Sequence, residues 1–167
     1  MLVNISRPHF SLPGTDGKIH QLADYMEKIV VVHFWSSECP WSERADLHFA
    51  EYNHTFSNNV VVLPVASNSN ETLEQIQQTM QAHRLGLVLL DHNNHLADAW
   101  DAQITPHAFV FDQTGLLRYK GAVDDVTFRK RTPEHFYVKE VISALLGAEA
   151  PTLQETSPYG CTIVRAT

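Results

Sequence analysis

The 167-residue chain reads as an α/β protein: strands alternate with helices in a mixed sheet, closed by an antiparallel edge and a last helix. Three observations carry this. A short apolar run rich in β-branched residues, 29–35, leads directly into the amphipathic stretch 39–56. Strand and helix signals then alternate over 60–66, 70–83, 87–90 and 94–101. Finally, two strand-like segments, 107–112 and 116–121, are separated by Asp112-Gln113-Thr114-Gly115, a hairpin turn by composition, and a helical segment follows.

Taken in order, Val30-Val31-Val32 mark the first of these strands as buried. The helix after it begins at Cys39-Pro40, where proline's missing N–H costs nothing. Strand 60–66 comes next. Asn70 is the expected N-cap of a helix running to His83, with Glu71 and Glu74 in its first turn, facing the positive end of the dipole. Strand 87–90 and a short helix from Asn94 to Asp101 precede the hairpin. The last helix is expected from Pro133, capped by Thr132, to Gly147. Residues 148–167 show no periodicity and read as an extended tail. The expectation is one domain over 1–167, since 44% hydrophobic residues at this length bury a core without disulfide or metal staples.

Composition excludes several partners. The net charge is −7 and no basic stripe could follow a phosphate backbone, so nucleic acid is not expected. No apolar run approaches ~20 residues. Met1-Leu2-Val3-Asn4 lacks the charged and apolar regions of a secretory signal, so no membrane partner and a cytoplasmic location are expected. Two cysteines, Cys39 and Cys161, do not make a disulfide scaffold. Ten histidines raise the question of metal, but His92 and His95 straddle a turn-like Asn93-Asn94 and no second pair follows at zinc-site spacing. No metal and no cofactor are expected.

The chemistry concentrates at Cys39. A thiol between a strand and a helix start faces unpaired backbone N–H groups and the positive end of the dipole, and both favour thiolate. Free cysteine titrates near pH ~8.5, and such a setting lowers it to roughly 3.5–7.5.

Phe34-Trp35-x-x-x-Cys39-Pro40 resembles the active-site segment of the thioredoxin superfamily, F-W-x-x-x-C-x-x-C. Cys39 matches the nucleophilic cysteine, and Ser42 stands where the resolving cysteine belongs. Serine cannot resolve a mixed disulfide, being far too weak an acid and having no sulfur to pair. Ile104-Thr105-Pro106-His107 is similar to the family's cis-proline loop. The resemblance implies that Pro106 lies against the active-site cysteine and that the Thr105 backbone pairs with the bound substrate chain. Segment 10–22 resembles the N-terminal hairpin of the redoxin branch, which includes peroxiredoxins. Pro158-Tyr159-Gly160-Cys161-Thr162-Ile163 resembles the C-terminal Gly-Cys-x-Ile signature of peroxiredoxin-like redoxins. Together these imply a thioredoxin-like fold, a redox-active Cys39, and a candidate resolving role for Cys161 if the tail folds back over the helix start.

Three functional readings follow. In the first, Cys39 exchanges with the disulfides of proteins or low-molecular-weight thiols. In the second, it reduces peroxide; Ser36 matches the peroxiredoxin hydroxyl position, but Val32 stands where that family has proline. The third is a non-catalytic sensing or binding module, since fold does not fix function. Around the thiol, His33 is either a proton carrier for Cys39 or a half-buried histidine bonded to a carbonyl. Trp35 and Trp41 are candidates to flank the thiol as part of a partner-binding surface; Trp35 reads equally as core, and Trp41 is the better surface candidate. Arg129-Lys130-Arg131 reads as a solvated loop. The sequence does not set the oligomeric state.

Overall fold

A computed structural model describes residues 1–167, the side chain of Asn53 excepted. A hairpin of β1 (Ser11–Pro13) and β2 (Ile19–Gln21) opens the chain, followed by one 3₁₀ turn, Leu22–Tyr25. Then come β3 (Ile29–Trp35), α1 (Pro40–Ala50), α2 (Tyr52–Thr55), β4 (Val60–Ala66) and α3 (Leu73–His83). The second half contains β5 (Leu89–Leu90), α4 (His95–Ala99), β6 (Ile104–Thr105), β7 (His107–Phe111), β8 (Leu117–Gly121), α5 (Tyr137–Leu146) and β9 (Cys161–Thr162).

The main sheet runs β5-β4-β3-β7-β8, with β4 parallel to β3 and β5, and β7 and β8 antiparallel. β3 lies at its centre and is buried along its whole length, which accounts for its unbroken apolar run. Its side chains alternate between two layers. Val30, Val32 and Phe34 face the N-terminal hairpin and α4 with Leu96, Trp100 and Phe109. Ile29 and Val31 face α1 and α5 with Phe49, Val141 and Ile142. The mixed sheet with one antiparallel edge is therefore as expected.

Several helix ends differ from expectation. The segment 39–56 is not one helix: α1 stops at Ala50 and the short α2 continues the path. The cap of α3 is Thr72, not Asn70. Thr72 Oγ1 accepts the Gln75 N–H while the Gln75 side chain accepts the Thr72 N–H, a reciprocal box that Asn70 lacks. α5 starts at Tyr137, not Pro133, because Asp125 Oδ1 accepts the N–H groups of Glu134 and His135 at 3.0 and 3.2 Å and ties them into the preceding loop.

The tail is extended, as expected, and is bound along its path. Thr156 Oγ1 meets Tyr119 Oη at 2.5 Å and accepts the Ala122 N–H at 2.9 Å. Farther on, Ile163 sinks into the core at 3% exposure. Gly121, at φ 145°, allows this close approach: a Cβ there would overlap the hydroxyl and backbone of Thr156. Gly121→Ala is expected to lower unfolding stability by about 1–3 kcal/mol, read as a drop in urea midpoint.

Candidate active site

After Trp35 the chain turns through Ser36–Glu38 onto α1. Cys39 is the N-cap, its backbone extended at φ −90° and ψ 117°, with Pro40 as the first helical residue. The turn is clamped from the far side of the sheet edge. Glu71 Oε1 accepts the Ser37 N–H at 2.5 Å and the Ser37 hydroxyl, while Oε2 accepts from Asn68 Nδ2 at 2.6 Å. Glu71 is thus a loop clamp rather than a first-turn helix residue. No local pattern marked it for that role.

Ser42 is fully buried, and its Oγ accepts the Ser36 N–H at 3.2 Å. The Ser36 hydroxyl accepts the Glu38 N–H at 3.3 Å and so serves the turn. From the opposite side, the Thr105–Pro106 peptide is cis, and the Thr105 carbonyl accepts from Cys39 Sγ at 3.5 Å. β9 pairs antiparallel with β6, placing Cys161 opposite Thr105, the residue whose carbonyl meets the Cys39 sulfur. Both cysteines are free.

The two thiols are driven apart in acidity. Burial pushes Cys39 up, but hydrogen bonds from Cys161, from the Ser42 N–H, and from the Thr105 and Ser42 hydroxyls outweigh it, and its pKa lies below the ordinary thiol value. Cys161 is pushed up to about 12, by burial first and then by the hydrogen bond and charge of Cys39. Serine at position 42 therefore acts as a donor to the sulfur, and the second thiol comes from the tail.

His33 follows neither expectation. It is completely buried, its ring packs 4.7 Å from that of Phe49, and neither ring nitrogen has a hydrogen-bond partner among the described residues. Burial alone pushes its pKa down to about 3, so at neutral pH it is an uncharged core residue, bonded neither to a carbonyl nor to Cys39. The buried polar group of this region is instead Asp46, one turn beyond Ser42 on α1. Its Oδ2 accepts from Trp35 Nε1 at 2.8 Å and meets His83 Nδ1 at 2.8 Å. Burial raises the Asp46 pKa against both bonds. Its signal in the sequence is a carboxylate on the inward face of an amphipathic helix.

Of the two readings for Trp35 the structure takes the core one: it is fully buried and packs with Ala66, Ile76 and Val88. Trp41 is half-buried and packs edge-on against Tyr159 of the tail at 4.8 Å, while Tyr159 Oη accepts the Phe128 N–H at 3.0 Å. Arg44 forks onto Asp124 at 3.1 and 2.6 Å. The basic cluster lies in a surface loop: Lys130 pairs with Asp125 at 2.6 Å and Arg131 stacks over Phe128. Among the described residues no group of three His, Cys, Asp or Glu side chains is arranged to hold a metal. No helix among them is long and apolar enough to cross a membrane.

Comparisons with known proteins bear on the family and the fold. The thiol-disulfide oxidoreductase YkuV of Bacillus subtilis is 29% identical over 97 residues, covering 56% of this chain and 66% of that protein. The chain thus spans just under two thirds of that relative's length. A hypothetical protein of Sinorhizobium meliloti 1021 superposes over 100% of this chain and 96% of its own, with a TM-score of 0.84 at 24% identity. The thioredoxin domain of a thiol-disulfide oxidoreductase from Bacteroides vulgatus superposes over 89% of this chain and 98% of its own, with a TM-score of 0.66 at 14% identity. The fold is thioredoxin-like. Residues 3–120, most of the chain, match the model of the AhpC/TSA family, and the protein belongs to that family.

Proposed function

We propose that the protein is a thiol–disulfide oxidoreductase in which Cys39 is the nucleophile and Cys161 the resolving thiol. The observation supporting this reading is the placement of both cysteines on Thr105, Cys161 opposite it in the β6–β9 register and Cys39 bonded to its carbonyl, with Cys39 acidified and Cys161 held protonated. The Cys39 thiolate attacks one sulfur of a disulfide, R–S–S–R′. A Cys39–S–S–R bond forms, the substrate S–S bond breaks, and R′S⁻ leaves with the electron pair and takes up a proton. Cys161 then loses its proton and attacks Cys39, releasing RS⁻ and leaving a Cys39–Cys161 disulfide. An external dithiol or two low-molecular-weight thiols reduce that disulfide and complete the cycle. The names of related proteins support the same class of reaction. Arg44, tied to Asp124, gives no support to a peroxide site built on a free arginine.

The test joins two readouts. The pH dependence of Cys39 alkylation, followed in the reduced unaltered chain by the mass of the Cys39 peptide, is expected to give an apparent pKa below the ~8.5 of free cysteine. Mild oxidation of the unaltered chain is expected to remove about 2 Da, the mark of a disulfide. An ordinary pKa together with unchanged mass would leave the reaction without a nucleophile.

A further inference from the structure

We propose that tail residues 158–163 fill the strand-pairing edge beside Cys39, and that Gly160 thereby makes the site selective for low-molecular-weight disulfides over polypeptide disulfides. This rests on Cys39 being the exchange nucleophile.

β6 is a two-residue strand at the mouth of the site, and among the described residues it pairs only with β9: Ile104 opposite Thr162, Thr105 opposite Cys161. An extended chain laid on such an edge gains backbone hydrogen bonds and sets alternate side chains into the site. The tail shows what that geometry delivers here, since its pairing sets Cys161 opposite Thr105, the residue whose carbonyl meets Cys39 Sγ. The edge suits a cysteine-containing extended chain, and the protein's own tail is that chain.

The fit leaves no room for a second one. Gly160 sits at φ 157°, and a Cβ there would overlap the Thr105 carbonyl oxygen and approach Pro106 Cδ to 3.1 Å. Only glycine lets the tail lie this close. The strap is held on both flanks. Thr156 is anchored on β8 and Ala122, and Tyr159 on Trp41 and the Phe128 N–H. Beyond Cys161, the Ile163 N–H bonds to Gln103 O at 2.9 Å and the Val164 N–H to Asn68 Oδ1 at 2.7 Å. Beneath it Cys39 is only 3% exposed. A tethered occupant competes at an effective concentration in the millimolar range or above. A polypeptide disulfide must therefore displace it to use the Thr105 edge. A low-molecular-weight disulfide without a peptide backbone, such as hydroxyethyl disulfide, has no groups to pair with the Thr105 edge and does not compete for it.

The experiment uses Cys161→Ser, which keeps the strap but cannot resolve, so Cys39 adducts accumulate and are read by intact mass. The probes are hydroxyethyl disulfide and a decapeptide whose single cysteine is disulfide-bonded to mercaptoethanol. With Gly160 present, the peptide is expected to react at least about tenfold more slowly than the small disulfide. In Gly160→Ala/Cys161→Ser, the peptide is expected to gain about tenfold while the small disulfide changes by less than about threefold. As a check that needs no Gly160 variant, hydrogen exchange at 158–163 in Cys161→Ser is expected to rise in the peptide adduct and not in the hydroxyethyl adduct.

Equal rates for the two probes with Gly160 present would overturn the proposal and leave the exchange reading intact. So would a peptide adduct whose tail amides stay protected. Failure of both probes to react with Cys39 in either protein would remove the exchange reading and this inference with it.

Discussion

Replacing Cys39 with serine is expected to lower disulfide-exchange activity by at least about a hundredfold, to the uncatalysed background, because a hydroxyl offers no anion at neutral pH and cannot form the mixed disulfide. Replacing Cys161 is expected to behave differently. Cys161→Ser keeps the attacking thiol, so the first half-reaction proceeds, and the enzyme stalls as a substrate adduct on Cys39. Without added thiol its steady-state rate is expected to fall about tenfold or more, and millimolar glutathione restores it by resolving the adduct from outside. The electrostatics give the order of events. In the resting enzyme Cys161 is held near 12 by burial and by the hydrogen bond and charge of Cys39. Once Cys39 is in a disulfide, two of those three causes are gone and Cys161 deprotonates more readily. Stopped-flow release of the leaving thiol, with trapped mass, separates the two steps. A Cys161→Ser protein that turns over at the unaltered rate without added thiol would remove Cys161 from the cycle.

The second large effect is on stability in mild acid. His33 and His107 are both buried, and burial pushes them down to about 3 and about 4. Above the unfolded value of about 6.5 neither state binds the proton, and these groups cost nothing. Below it, the unfolded chain takes up protons that the folded chain refuses, so stability is lost as pH falls from 6.5 toward the folded values. Between pH 7.5 and 5 this amounts to about 2 kcal/mol per histidine, or about 4 kcal/mol together. His48 is shifted in the same direction by burial. Asp46, raised by burial, works the other way, since the folded chain takes up that proton at a higher pH than the unfolded chain. Against a typical total of about 5–15 kcal/mol this is a large fraction. Urea midpoints at the two pH values are expected to show it, and His33→Leu is expected to remove about half of the difference. Equal midpoints at pH 7.5 and 5 would contradict the burial of both rings as uncharged groups.

The fold was legible where local pattern and tertiary demand agree. The apolar run 29–35 became the central strand because a strand covered on both faces needs apolar residues at every position. Cys39-Pro40 marked a helix start because proline is tolerated there and almost nowhere else in a helix. Helix ends were less legible because competing partners lie far away in sequence. Glu71 was spent on Ser37, 34 residues upstream, and Glu134 and His135 on Asp125 in the loop before α5.

At the site, Cys39, Ser42, Thr105 and Pro106 could be named from their motifs, and the structure brings all four together. His33 stood out by type alone, and its environment, which decides its chemistry, is set by Phe49 and the layers around it. The sequence by itself determined the strand–turn–helix that sets Cys39 at a helix start with Ser42 three residues on, whereas its acidity also draws on Cys161 and Thr105, which only the tertiary structure brings to it. Only the tertiary structure decided what faces that thiol. The Gly160-Cys161 signature named Cys161 but a tail without periodicity does not say where it pairs, and the β6–β9 pairing joins residues 56 apart through a contact that only a missing side chain at Gly160 permits.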